Sequence, residues 1–91
     1  MTVICKIPGR FVETEVDGEV VVMDTSSGRF YALEATGLAI WRAIDGKTGR
    51  DSLVADLAER FGECVDIVGA DVDAFLATLR DAGLVEERAA A

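Results

Sequence analysis

An α+β fold is what this sequence predicts, and three observations predict it. Two β-favouring runs flank an Asp-Gly pair early in the chain; hydrophobic spacing changes from two residues to about 3.6 after Glu34; and three apolar helical stripes follow, separated by turn residues. With 91 residues there is room for one compact domain and not for two. The expectation is a single domain over 1–91 with its core at about 10–86.

Phe11-Val12-Glu13-Thr14-Glu15-Val16 alternates in polarity, Asp17-Gly18 follows, and Glu19-Val20-Val21-Val22-Met23-Asp24 comes next. Asp-Gly supplies the positive φ angles that a two-residue type I′ hairpin requires. Such a loop sets Val16 opposite Glu19, Thr14 opposite Val21 and Val12 opposite Met23, on one shared face. The second strand is nearly all apolar, which calls for cover on both faces or a strand along both edges. A third strand is supplied by Arg29-Phe30-Tyr31-Ala32-Leu33-Glu34, after the polar turn Thr25-Ser26-Ser27-Gly28. Tyr31 and Leu33 point one way, Phe30 and Ala32 the other. The stretch from Val3 to Pro8 fits a short extra strand or a loose arm equally well.

A first helix near 36–45 buries Ile40, Trp41 and Ile44 and ends at Asp45-Gly46. Thr48 with Asp51 resembles a capping pair for a second helix, whose inward stripe is Leu53, Val54, Leu57 and Phe61 and which Gly62 stops. Asp66 is the expected N-cap of a third helix carrying Val68, Val72, Phe75, Leu76 and Leu79 on one face. Gly83 sits where a left-handed residue ends a helix, so that Leu84 folds back, and 86–91 is expected to fray. A three-stranded antiparallel sheet followed by three helices is winged-helix-like, with the wing strands placed first.

Composition removes several functions. There is no histidine, the commonest general base and nitrogen ligand, and Cys5 and Cys64 lie far apart without a metal-type spacing, so free thiols are expected. Seventeen acidic against nine basic residues give a net charge of -8, which repels phosphate backbones and argues against nucleic acid. No apolar run approaches a membrane span and no export signal is evident, so a cytoplasmic protein without a membrane partner is expected.

Asp51-Ser52-Leu53 resembles the phosphopantetheine attachment triplet of acyl carrier proteins, which makes a carrier modified at Ser52 an alternative. Carrier proteins are wholly helical, however, and here Asp51 and Ser52 read first as polar residues favouring a positive helix end. Asp71 and Asp73 lie on different sides of a helix with no third ligand, and Trp41 reads as core. The third strand is different. In a meander it lies at a sheet edge, its charges are confined to its two ends, and its middle offers an open row of donors and acceptors. An extended peptide can add there as a further strand; so can a second copy of the chain or its own N-terminal arm.

Gly28-Arg29-Phe30-Tyr31, then Leu33, Thr36 and Ile40-Trp41, then Asp45-Gly46, and finally Asp71-Val72, Phe75-Leu76, Leu79 and Gly83-Leu84 stand in an ordered spacing that resembles PqqD-like domains, the precursor-peptide recognition elements. The resemblance spans about 19–86 and departs from the family pattern at Glu34, usually asparagine, and Gly37, usually alanine. It implies a protein that is no enzyme and needs no cofactor or metal. The leader of a ribosomally made precursor peptide would bind as an antiparallel strand against the third strand. Carried over, the peptide-binding residues are Arg29, Phe30, Tyr31, Ala32, Leu33 and Glu34, with Asp71, Phe75 and Thr78 of the third helix beside them and Val72 and Leu79 at the floor. The implied partners are a leader peptidase and a macrolactam-forming cyclase in lasso-peptide biosynthesis, towards which the two departures lean. A peptide chaperone of pyrroloquinoline quinone synthesis is the alternative.

Overall fold

The computed structural model describes residues 2–89. In chain order its elements are β1 (Thr2–Lys6), β2 (Phe11–Val16), β3 (Glu19–Asp24), β4 (Phe30–Leu33), α1 (Ala35–Ala43), α2 (Arg50–Phe61), α3 (Val65–Asp81) and β5 (Val85–Ala89). Strands β2, β3 and β4 form one antiparallel sheet in that order, and β1 pairs with β5 in a separate two-stranded ribbon. The α+β expectation holds, with a three-stranded sheet preceding three helices, and the ribbon is added to it.

Asp17 and Gly18 both take positive φ, 51° and 80°, and close the β2–β3 hairpin. The register is the expected one: Val16 faces Glu19, Thr14 faces Val21 and Val12 faces Met23. The shared face carrying these residues looks to solvent, because Val12 and Val16 are exposed while Val20 and Val22 of the opposite face are buried. β3 is therefore flanked by a strand on each edge and covered by helices on one face only.

Four helix details differ from expectation. α1 spans Ala35–Ala43, and Ile44 follows as the C-cap and remains buried. Thr48 donates its hydroxyl to Asp45 at 3.1 Å, and Gly49, with no side-chain cap, stands at the start of α2. At α3 the N-cap is Cys64 and Asp66 lies in the first turn, where its charge still complements the helix dipole. Phe61, at the last residue of α2, remains exposed, since that turn extends beyond the core. The C-terminal end of α3 is as read: Gly83 has φ 76°, and Leu84, fully buried, donates its N–H to Leu79 at 2.9 Å.

The largest correction concerns the two termini. Residues expected to fray form β5, which pairs with β1 from Thr2↔Ala89 to Lys6↔Val85; residues 90–91 lie outside the described range. Val3 and Ile4 are buried, so the core reaches beyond the expected 10–86 at its N-terminal side, and Val85 joins Ile4 in it. The α1–α2 loop holds the other edge of β1: Ile4 N–H donates to the Thr48 carbonyl at 3.0 Å and Gly46 N–H to the Ile4 carbonyl at 3.1 Å.

Trp41 joins these parts. It is fully buried among the core side chains, its indole Nε1–H donates to Glu13 of β2, and Phe11 meets its ring edge-on at 5.1 Å between centroids. Lys6 of β1 sets its Nζ 4.3 Å from the same ring centroid, a cation–π contact. Desolvation there lowers the Lys6 pKa, and the Glu13 carboxylate opposes that shift. Replacing Trp41 with alanine is expected to remove about 3–5 kcal/mol of unfolding free energy, and Trp41→Phe, which keeps most of the apolar volume but loses the donor, about 1–2 kcal/mol. Urea titrations of the two variants against the parent check both values.

Candidate functional site

Asp24 ends β3 and organises the turn into β4. Its carboxylate accepts the Ser26 N–H at 2.8 Å, its carbonyl accepts the N–H of Gly28 at 2.8 Å, and its own N–H donates to the Arg29 carbonyl at 2.8 Å. Gly28 has φ 76°, a conformation that glycine adopts without penalty. The turn sets the register Val20↔Leu33, Val21↔Ala32, Val22↔Tyr31 and Met23↔Phe30. Antiparallel pairs alternate between bonded and non-bonded residues, and the Asp24–Arg29 bond fixes the phase. Arg29, Tyr31 and Leu33 thus bond to β3, whereas Phe30 and Ala32 turn their N–H and C=O groups away from it. Among the described residues no strand pairs with that outer edge.

The opposite edge of the sheet is guarded. By the same alternation Glu13 and Glu15 of β2 face outward along the backbone, and their carboxylates engage Trp41 and, at 2.9 Å, Arg42. Charged residues of this kind discourage strand addition. β4 carries none between Phe30 and Leu33.

Just past the end of β4, a groove of about 430 Å³ opens between α1 and α3, lined by Thr36, Gly37, Ile40, Asp71, Ala74, Phe75 and Thr78. Asp71, Ala74, Phe75 and Thr78 recur at helical spacing and present one face of α3. Gly37 keeps the opposite wall open: a Cβ there would lie 3.6 Å from the Phe75 ring. The Thr78 hydroxyl donates to the Ala74 carbonyl at 3.2 Å, so its methyl is the part left to contact a guest.

The expected residues divide accordingly. Phe30 and Ala32 are exposed on the open edge, Arg29 and Glu34 are exposed at its two ends, Tyr31 is half-buried, and Leu33 is buried against the core. Asp71, Phe75 and Thr78 are brought together on the groove wall. Val72 and Leu79 lie on the buried side of α3, inside the core beneath the groove. Thr36, Gly37, Ile40 and Ala74 were missed by the sequence reading. A glycine inside the first turn of a helix, three residues from Ile40, was the available signal.

Other sequence candidates sit elsewhere. Arg50 pairs with Asp73 through two bonds of 2.9 Å and with Asp51 at 3.0 Å, fastening α2 to α3 and holding the Asp73 carboxyl below its ordinary pKa. Ser52 is exposed in the first turn of a helix only 12 residues long. Cys5 and Cys64 are free, and among the described residues no cluster of side chains suits a metal ion. No described helix is long and apolar enough to cross a membrane.

Residues 19–85 match the family of coenzyme PQQ synthesis protein D (PqqD). The chain belongs to the PqqD family. Among solved structures its fold is similar to that of TbiB1 in complex with the TbiA(β) leader peptide, with a TM-score of 0.77 and 26% identity over 89% of this chain and 94% of TbiB1. No curated protein matches the chain by sequence. The stretch matched to the PqqD family begins at β3 and ends at Val85, so β1, β2 and most of β5 lie outside it.

In this PqqD-family domain the turn that presents β4 carries a pH dependence. The Ser26 N–H holds the Asp24 carboxyl below its ordinary value of 3.8, against an opposing desolvation effect, and the Lys47 N–H does the same for Asp45. A carboxylate with a depressed folded-state pKa stabilises the fold fully above its unfolded value and loses that contribution as pH falls through the folded value. Urea midpoints are therefore expected to decline below about pH 4, and Asp24→Asn, which has no charge to lose, to decline less over the same range.

Proposed function

We propose that this chain binds the leader segment of a ribosomally synthesised precursor peptide by β-strand addition and presents the peptide to partner modifying enzymes. The observation that carries the reading is the uncovered outer edge of β4, where the backbone groups of Phe30 and Ala32 turn outward, followed in the chain by an α1–α3 groove whose wall begins at Thr36. An antiparallel guest strand bonds to those groups, and its alternate side chains enter the groove between α1 and Phe75. TbiB1, which shares the fold, is described in complex with a leader peptide, and this supports the same use here.

Binding of this kind makes and breaks no covalent bond. Its effect is to hold the core peptide near an enzyme's active site, which raises its effective concentration there. Arg29, Phe30, Tyr31, Ala32, Leu33 and Glu34 form the platform, Asp71, Phe75 and Thr78 the side wall, and Val72 and Leu79 the support beneath it. A groove with Asp71 as its carboxylate and apolar groups around it favours a leader with aliphatic side chains and a nearby basic residue. Lasso-peptide biosynthesis, with a leader peptidase and a cyclase as partners, is the setting we favour. Glu34 and Gly37, where the chain departs from the family pattern, are the grounds for that preference. Chaperoning in pyrroloquinoline quinone synthesis is the second reading, favoured by the family description itself.

A fluorescence-polarisation titration with a labelled leader peptide tests the binding mode. Ala32→Pro removes one outward N–H from an edge strand without breaking a β3–β4 bond, and Phe75→Ala removes the groove wall; each is expected to weaken binding about tenfold or more. Parental affinity in both variants, with circular dichroism showing them folded, sinks the proposal. The net charge of -8 also predicts that association with a basic leader slows as salt rises from 50 to 300 mM, by an effect on the on-rate.

A further inference from the structure

The face of the β2–β3–β4 sheet turned away from the helices carries apolar side chains on all three strands, with Thr14 among them and Glu19 at the hairpin end. Val12, Met23 and Phe30 form one cross-strand row and Thr14, Val21 and Ala32 the next, with Val16 opposite Glu19 at the hairpin end. Phe30 is 70% exposed, Val16 54% and Val12 50%. An antiparallel sheet with one free face ordinarily alternates apolar inside and polar outside. Here the order is partly inverted: β2 turns Glu13 and Glu15 towards the helices, where they meet Trp41 and Arg42, and its valines towards solvent.

We propose that this outer sheet face is the docking surface for the processing enzyme that acts on the bound peptide, through a patch of that enzyme that is apolar at its centre and basic at its margin. The inference rests on the leader-binding reading above and locates a second surface on the same sheet. Three observations favour such an occupant. First, two copies of a chain with net charge -8 repel one another, and Asp17 and Glu19 stand together at the hairpin end of the face, so a second copy is disfavoured and a basic rim is favoured. Second, three strands at strand spacing give a face of roughly 14 Å by 20 Å, far below the roughly 800 Å² per partner of a stable interface. It suits a contact that forms in the presence of something else. Third, the face ends at the open edge of β4: a leader strand added there continues the same surface and places its outward side chains next to Phe30 and Ala32. The enzyme then meets protein and leader side by side, and each strengthens the binding of the other by the same factor.

Val12→Lys/Val16→Lys is the informative variant. Both residues are exposed on β2, two strands from the leader edge and outside the proposed leader site. Labelled leader peptide is titrated to parent and variant, and leader processing is then measured in a reconstitution with the purified peptidase and cyclase of the same gene cluster. The expected result is leader affinity within twofold of the parent with processing at least tenfold slower, the defect shrinking as enzyme concentration rises. Unchanged processing overturns the docking surface while leaving leader binding intact. Loss of leader affinity in the folded variant also overturns it, because the face then serves the leader itself. A parent that sediments as a dimer and a variant that sediments as a monomer assigns the face to a second copy and overturns it as well. Failure of the parent to bind leader is a separate outcome that removes the underlying reading too.

Discussion

The seating of Trp41 is the constraint on which the other parts depend. A 91-residue domain has little apolar area to spare, and here one fully buried indole is shared by α1, by β2 through Glu13 and Phe11, and by β1 through Lys6. The three-stranded sheet and the β1–β5 ribbon are not hydrogen-bonded to each other. They are held in one body by side chains, and Trp41 touches both. It also accounts for the reversed polarity of β2. Glu13 must face the helices to accept the indole N–H and Glu15 to reach Arg42, and a strand's period of two then sends Val12, Thr14 and Val16 outward.

That arrangement leaves β4 open for a structural reason. The N-terminal segment, one of the groups able to cover the edge, is occupied elsewhere: β1 is bonded to β5 on one side and to residues 46–48 on the other. β2 is protected by its carboxylates. Among the described strands only β4 retains outward backbone groups without charge between them, and it is brought there by a turn whose bonds converge on Asp24. The edge is thereby ordered before any guest arrives, so a peptide adding to it orders itself alone.

Local signals were legible in the sequence and long-range ones were not. Asp17-Gly18 determined the hairpin register to the residue, because a two-residue loop permits one pairing, and Gly83-Leu84 marked the end of α3 through backbone geometry that few other residues accept. β5 was hidden because Val85-Glu86-Glu87-Arg88-Ala89 offers one buried side chain, and its strand character comes from pairing with β1 at the other end of the chain. Likewise Thr48 and Asp66 are good capping residues by type; tertiary geometry gave Thr48 to Asp45 and started α3 two residues earlier than Asp66 suggested. Of the candidate site, the open β4 edge was legible from the meander order and the confinement of charge to the strand ends, and the Asp71, Phe75 and Thr78 side of α3 only through the family resemblance. The facing wall of Thr36, Gly37 and Ile40 was not, since which face of α1 looks at α3 is a property of packing.

The division of labour along α3 follows from its length. Over 17 residues one face is committed to the core through Val68, Val72, Leu76 and Leu79, and the adjoining face through Asp71, Phe75 and Thr78 is left for the groove. Phe75 lies on the boundary, half-buried, touching the core on one side and bordering the open space over Gly37 on the other. A side chain placed there contributes to stability and to the shape of the groove at once, so truncating it costs some of each. Ala32, exposed on the edge strand, contributes to the core through neither its side chain nor its outward N–H. Substitutions at the two positions therefore separate what a peptide added at this edge would gain from backbone pairing from what it would gain from a shaped wall.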